Sequence, residues 1–543
     1  MFTKLKLFTA AFCLTAIAAH AQTLKDAIRL TDNEQYDVAY GVYQQLIQKE
    51  PANATNWFYL AENYWRSENP DSAKICYEKA MQTDAANPLS SVGVGKMLLE
   101  TGQGIEARKN FDKALAASGG KTTTVQAEVA KAYIKSKFKD LNYATTLLNN
   151  AIAVEPKNAE LYILLGDVYT EKNDGTNAAI NYNKALELDK NSVKAIVRKG
   201  VLYKQSTNFE GAVAEFQNAI SIDPNFAPAH RELAETYFKQ RKPEDAKAEY
   251  RKFLDLSKNN SKARLKYTAL LFQSGEYQSA LNELKQIGKV DSANTGMMRL
   301  YAYLSYELKD TTNATIFIYK VFEIVPDESK RTVLDNEYRG KIESVNGNDS
   351  IGVIYLWKAY ELDNNKTDLL TDIGNLYMKI KKYTEAEKAF TKRIETGKGV
   401  KSGDYFSLGR AAFFGKNYMT ADSAYAKVTE LQTTWPNGFL WRAKTNTMID
   451  STSSQGLAKP YYEKFIELAK ADSANLSRYK TGLIEAYRYI AVYNYKVVKS
   501  TDESKSFYKK ILELDPADKN ALDAMRIFNA PPAPPNPPAI PKK

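Results

Sequence analysis

The sequence predicts an all-α solenoid, antiparallel helix pairs stacked into a right-handed superhelix. Three observations carry that expectation. A set of apolar, aromatic and small residues returns at a fixed interval along nearly the whole chain. The apolar members lie three and four residues apart, the spacing that gathers them on one face of a helix. The length of 543 residues exceeds what one ordinary core holds, which leaves several domains or one repetitive array.

The repeat is read by superposing the chain on itself. Trp57, Leu60, Ala61, Tyr64, Ala73, Tyr77 and Ala80 return in type as Tyr162, Leu165, Gly166, Tyr169, Ala178, Tyr182 and Ala185. They return again as Ile196, Gly200, Tyr203, Ala212, Phe216 and Ala219, followed by Pro224, and once more as Leu370, Ile373, Gly374, Tyr377, Ala386 and Phe390. Small residues at Gly166, Gly200 and Gly374 let two helices approach closely, and large ones such as Tyr169 and Phe216 fill the space between units. Glycine costs about 1 kcal/mol relative to alanine inside a helix, so its recurrence needs a packing reason. The pairs Glu155-Pro156, Asp223-Pro224 and Asp515-Pro516 end second helices, because proline cannot continue the hydrogen-bond ladder.

The pattern resembles the tetratricopeptide repeat, with its period of about 34 residues and its W-x2-L-G-x2-Y…A-x3-F…P signature. On that resemblance the chain carries roughly thirteen units. The first is marked by Ala39, Tyr43 and Pro51, and later ones centre on Ala107, Ala144, Ala246, Ala280, Ala314, Gly409, Ala458 and Tyr508. Three stretches depart from the signature: Asp335 to Ser350, Asp450 to Gly456, and Ala474 to Tyr495. The first is the expected bend between two sub-arrays. The expected organisation is therefore a signal peptide over 1–21, an N-terminal array over 22–330, a C-terminal array with degenerate repeats over 331–516, a capping helix over 517–529 and a Pro-rich tail over 530–543.

The two ends are read from composition. Lys4 and Lys6 precede the apolar run Leu7 to Ala19, and Ala19-His20-Ala21 is a small-x-small cleavage site, as in a secretory signal. A retained anchor is the alternative. Cleavage lowers the formal net charge from +11 to +9, because the removed stretch holds two lysines and no acid. It also leaves Cys76 as the one cysteine, so no intramolecular disulfide forms. Export to the periplasm or to the outer membrane is the expected localisation. The tail from Ala530 to Pro541 is dense in proline and reads as extended polyproline II, either a solvated tail or a docking arm.

Chemistry is thinly represented. His230 is the one histidine of the mature chain, which speaks against paired-histidine metal sites and reads as a packing residue. Gly93-Val94-Gly95-Lys96 lacks the full phosphate-loop spacing, and Asp363-Asn364-Asn365 lacks the glycine and glutamate of a calcium loop. No catalytic residue, metal site or cofactor is expected. The positive charge is spread without a long Lys/Arg block, which argues against nucleic acid as partner.

The resemblance implies a binding face instead. In the family the first helices of successive units line a concave groove. Carried onto this chain, the lining positions are Phe58 and Trp65; Lys194, Val197 and Arg198; Arg231, Glu235 and Phe238; Arg299, Tyr303 and Tyr306; Phe406, Arg410 and Phe413; and Tyr489 and Tyr493. Aromatics and arginines are the types enriched in binding hot spots. Lys194 and Arg198 fall where some family members clamp a peptide carboxylate, but Asp167 occupies one of the companion positions. The resemblance implies a non-catalytic scaffold of the cell envelope for protein or extended-peptide partners. Carbohydrate or peptidoglycan recognition by the same aromatics is the alternative.

Overall fold

The computed structural model describes residues 23–119, 122–258, 260–288 and 294–530. The expected signal peptide and all but the first residue of the expected Pro-rich tail lie outside these residues. Among the described residues the secondary structure is 29 α-helices, with short 3-10 and π segments and no strand. The helices form fourteen antiparallel pairs and a last unpaired helix, the all-α solenoid that the periodicity predicts. No helix among the described residues is long and apolar enough to cross a membrane.

The chain forms two compact units, Met1–Val290 and Asp291–Lys543. The sequence reading puts the break at 330/331, inside the second unit. In the first unit the first helices of successive pairs are Leu24–Asp32, Ala54–Arg66, Pro88–Glu100, Thr123–Lys135, Ala159–Glu171, Val193–Gln205, Ala227–Lys239 and Ser261–Gln273. Their second helices run from Tyr36–Lys49 to Tyr277–Gln286. Most first helices have a side-chain cap: Asn53, Asn158 and Asn260 each accept a backbone N–H of the first turn. Seven of the eight pairs turn through one left-handed residue, at Glu34, Glu68, Gly102, Asn173, Thr207, Arg241 and Gly275, and the pair Thr123–Lys135 with Leu141–Val154 turns without one.

The small-against-large pattern has a direct geometric cause. A Cβ built on Gly166 would stand 2.4 Å from the ring of Tyr182, and one on Gly200 would stand 2.6 Å from the ring of Phe216. No real carbon is tolerated there, so the two helices of these pairs pack with glycine backbone against an aromatic face. Tyr77, Phe111, Tyr182 and Phe216 are all fully buried with a glycine against the ring. Thin layers of this kind suit tyrosine, because its hydroxyl can reach a polar partner at the layer edge. Tyr182 donates to Asp167 at 2.8 Å.

The second unit holds six pairs, from Thr295–Glu307 with Thr311–Ile324 to Lys480–Tyr493 with Thr501–Leu514, and ends in Lys519–Asn529. That last helix packs on its neighbour through Ala521, Met525 and Phe528. The stretch 335–350, which lacks the signature, nonetheless belongs to a regular pair, Val333–Val345 with Asp349–Leu362. Here Arg339 and Glu343 stand one turn apart on a first helix and form an ion pair at 2.7 Å, with Glu343 fully buried. The guanidinium lies over the rings of Tyr319 and Phe322, while Tyr319 and Asn348 donate to Glu343 at 2.8 Å each. A hydrogen-bonded charge cluster thus fills a layer that apolar residues fill elsewhere, which hid this unit from the pattern. The segment 474–495 is a 3-10 turn, Ser473–Tyr479, leading into Lys480–Tyr493. At Asp450–Gly456 the chain wraps Asp450, whose carboxylate accepts the N–H groups of Gln455 and Gly456.

Candidate functional site

The first helices of the N-terminal unit surround a cavity of about 430 Å³. Its wall is built from side chains near the inner faces and C-terminal ends of those helices, among them Asp32, Trp65, Arg66, Lys96, Lys135, Leu164, Asp167, Lys194, Arg198 and Arg231. The wall is rich in charge yet largely self-neutralised. Arg66 pairs with Asp32. Lys96 lies 2.5 Å from Glu62 and 3.4 Å from Glu128, and Lys131 reaches Glu128 at 3.0 Å. Arg198 pairs with Asp167 at 2.7 Å, and Lys194 bridges Glu160 and Asp32. Burial opposes ionisation of Asp32, but Lys194 and Arg66 more than offset it and hold the carboxyl well below the usual range. Most of these ion pairs join successive helix pairs, their partners about one repeat apart in sequence, whereas Lys131–Glu128 lies within one helix and Lys194–Asp32 joins the sixth pair to the first.

The cavity is also closed between distant units. Arg231, on the seventh first helix, donates through Nη2 to Glu34 at 2.9 Å and through Nε at 3.3 Å. Glu34 sits in the turn of the first pair, 197 residues away in sequence. Beside it, Ser257 donates to the Glu34 carbonyl at 2.5 Å and Gln35 donates to the Asn225 carbonyl at 3.3 Å. Lys262 and Glu68 meet at 2.6 Å nearby, both mostly exposed. A bidentate arginine on a partly buried carboxylate is the strong member of this set, and the exposed lysine pair adds little.

The expected groove positions separate into two kinds. Trp65, Lys194, Val197, Arg198 and Arg231 line the cavity together. Phe58 does not: it is fully buried, packed against Tyr59 and Tyr77 at 5.1 and 5.8 Å between ring centres. Its position on the helix turns it toward the second helix of its own pair. Phe238 is exposed and lies outside the cavity wall. Glu235 instead binds Lys204 and Lys266, which together overcome the effect of burial and bring its carboxyl down to about 2. In the second unit Arg299 and Tyr303 converge on fully buried Asp335, with Tyr303 donating at 2.6 Å and Arg299 bonding at 2.7 and 2.8 Å. They tie two units together and offer no free face. Phe406 belongs to an aromatic cluster with Tyr425, Trp435 and Trp441, and Phe413 extends it. Arg410 lines a shallow hollow with Lys379, Tyr383 and Phe414. Tyr489 is buried against Tyr462, and Tyr493 packs beside Gly456 with Lys459 over its ring.

Sequence reasoning missed much of the cavity wall. Asp32, Glu62, Arg66, Lys96, Glu128, Lys131 and Lys135 carry its electrostatics, and none belongs to the repeat signature. A signal was present: Asp32 and Arg66, and likewise Glu62 and Lys96, are opposite charges 34 residues apart, one repeat period. His230 is buried as the sequence suggests, with Nδ1 2.6 Å from Glu249 and Nε2 3.0 Å from the Pro224 carbonyl. Gly93 to Lys96 lies within the helix Pro88–Glu100, and Cys76 is buried with a free thiol. Burial pushes that thiol up to about 11, which suits a packing residue.

Comparison with known proteins returns the same repeat. A tetratricopeptide repeat family model matches residues 54–87, 159–192, 227–260 and 367–395, and a TPR repeat model matches 200–240. Comparison with curated sequences gave no match. Among solved structures, the C-terminal part of a TPR repeat-containing protein from Cytophaga hutchinsonii is 32% identical. The similarity covers 48% of this chain and 99% of that one, with a TM-score of 0.41. A tetratricopeptide repeat protein from Parabacteroides merdae is 20% identical over 47% of this chain and 98% of that one, with a TM-score of 0.32. PilF of Pseudomonas aeruginosa is 18% identical over 41% and 99%, with a TM-score of 0.35. By its repeating signature, its helix pairs, the repeat-model matches and the 32% sequence identity to the Cytophaga protein, the chain belongs to the tetratricopeptide repeat family.

Proposed function

We propose that the chain is a non-catalytic scaffold of the cell envelope, exported to the periplasm or the outer membrane, that holds a protein or peptide partner on the first-helix face of its N-terminal unit. One observation carries this reading. The solenoid spends its apolar residues on packing between helices and turns a wall of charged side chains, interspersed with Trp65 and Val197, toward a half-open space. Such a wall offers directional hydrogen bonds and an aromatic anchor on a rigid frame, which is what selective recognition of a polar chain requires. Glycan stacking is less well supported, because Phe58, Tyr303 and Tyr489 are committed to packing.

The test is a comparison of captures. Immobilised wild-type protein and a Trp65→Ala variant are exposed to envelope extract, and the recovered proteins are identified. The reading expects at least one protein bound by wild type and lost by the variant. Identical recoveries contradict it. A tagged full-length chain tests export: the tag belongs with a periplasmic or outer-membrane marker, and retention in the cytoplasm refutes that half of the proposal.

A further inference from the structure

The cavity of the N-terminal unit holds one cation that its neighbours leave unmatched. Arg66, Lys96, Lys131, Lys194, Arg198 and Arg231 each have a carboxylate partner. Lys135, the last residue of Thr123–Lys135, lines the same cavity and has no ion-pair or hydrogen-bond partner among the described residues. Its side chain keeps solvent access because it faces the open volume rather than the packed layer. Enclosure by the wall disfavours its charged form, and the nearby guanidiniums of Arg198 and Arg66 add to that, against a smaller pull from Asp167 and Glu171. A lysine held there carries unspent electrostatic attraction for an incoming negative group.

We propose that the N-terminal unit binds a compact anion of low charge, a carboxylate or a phosphate, at Lys135 inside its cavity. The neighbouring wall sets the selectivity. Arg66 and Arg198 stand close enough to act on Lys135 and keep donor groups beyond those their own carboxylates occupy. Glu100, at the end of the adjacent first helix, is a carboxylate of the wall with no ion-pair or hydrogen-bond partner among the described residues. It repels negative charge that extends beyond the Lys135 end, so a polyanion is disfavoured. The ligand's remaining body meets Leu99, Leu164 and Trp65. This inference deepens the proposed binding role of the same cavity but needs no macromolecular partner for its test.

The experiment is titration calorimetry on the purified full chain with sodium acetate, inorganic phosphate, and tri-alanine bearing a free or an amidated C-terminus. At least one of the first three binds wild type. Lys135→Met weakens it about 10- to 100-fold, the loss expected when a charge-assisted bond is removed. Lys135→Arg retains binding, and Lys137→Met, outside the cavity wall, leaves it unchanged. Circular dichroism establishes that each variant is folded. Preference for free over amidated tri-alanine assigns the anion to a chain terminus, and equal binding of the two with response to phosphate or acetate assigns it to a free ion. The proposal is overturned if none of the probes binds, or if Lys135→Met binds as wild type does. Anion binding by a wild-type protein that captures no partner from envelope extract would count against the scaffold reading alone.

Discussion

Replacing Arg231 with methionine opens the contact that closes the N-terminal unit. Methionine keeps much of the side-chain volume and removes the charge. The arginine is about three-quarters buried, donates two bonds to Glu34, and also pairs with Glu232 at 2.7 Å. Removing one partner of a buried pair costs about 3–5 kcal/mol, and an exposed pair costs less than about 1 kcal/mol. Partial exposure, and the second cation Lys204 that Glu232 retains, place this case between them at about 2 kcal/mol. The loss falls on the first helix pair, because Glu34 lies in its turn. Hydrogen exchange therefore reads it directly: amides of Tyr36–Lys49 exchange roughly 30-fold faster, the factor that about 2 kcal/mol gives, while those of Val193–Gln205 change far less. Lys262→Met is the control. Its pair with Glu68 is more than half exposed on both sides, so protection changes by less than about 2-fold. Equal effects of the two substitutions, or unchanged protection in Arg231→Met, would refute the closure argument.

Other outcomes follow from the same geometry. Gly166→Ala drives a methyl into the fully buried ring of Tyr182 and destabilises the unit by about 1–3 kcal/mol, read as a lower urea midpoint by circular dichroism. Arg241 holds a left-handed backbone in an exposed turn, so Arg241→Gly stabilises by up to about 1 kcal/mol, read as a higher urea midpoint. Glu343→Gln leaves Arg339 without its anion among three aromatic rings; a loss of about 3 kcal/mol appears as selective exchange in Val333–Val345. Acid is a fourth probe. The folded-state carboxyls of Asp32 and Glu235 titrate below their unfolded values of about 3.9 and 4.3. Their stabilisation is therefore complete above about pH 5 and is lost as pH falls from there through about 2, which a helicity titration follows. A helical signal that weakens on raising the pH from 5 to 7 instead would contradict the sign.

The sequence made the solenoid legible because its packing is local and periodic. Gly166 against Tyr182 and Gly200 against Phe216 are contacts within one pair, so their residue types recur at one spacing. The pair Val333–Leu362 escaped because Arg339 and Glu343 stand where apolar residues signal a repeat, although the small residues Gly340, Gly352 and Ala359 persist. Phe58 shows the limit of carrying groove positions over from a family: a shift of one residue rotates a side chain by about 100°, from cavity to core. Closure by Arg231 and Glu34 was out of reach altogether. It depends on small rotations summed over several units, and no local pattern encodes that sum.

Whether the inner wall is a binding face is tested most directly by site-specific photo-crosslinking in cells. A photoreactive amino acid replaces Trp65, on the cavity wall, or Ile75, exposed on the following second helix. The account predicts a discrete crosslinked partner from position 65 and none from position 75. Crosslinks from position 75 alone, or the same products from both, would contradict it.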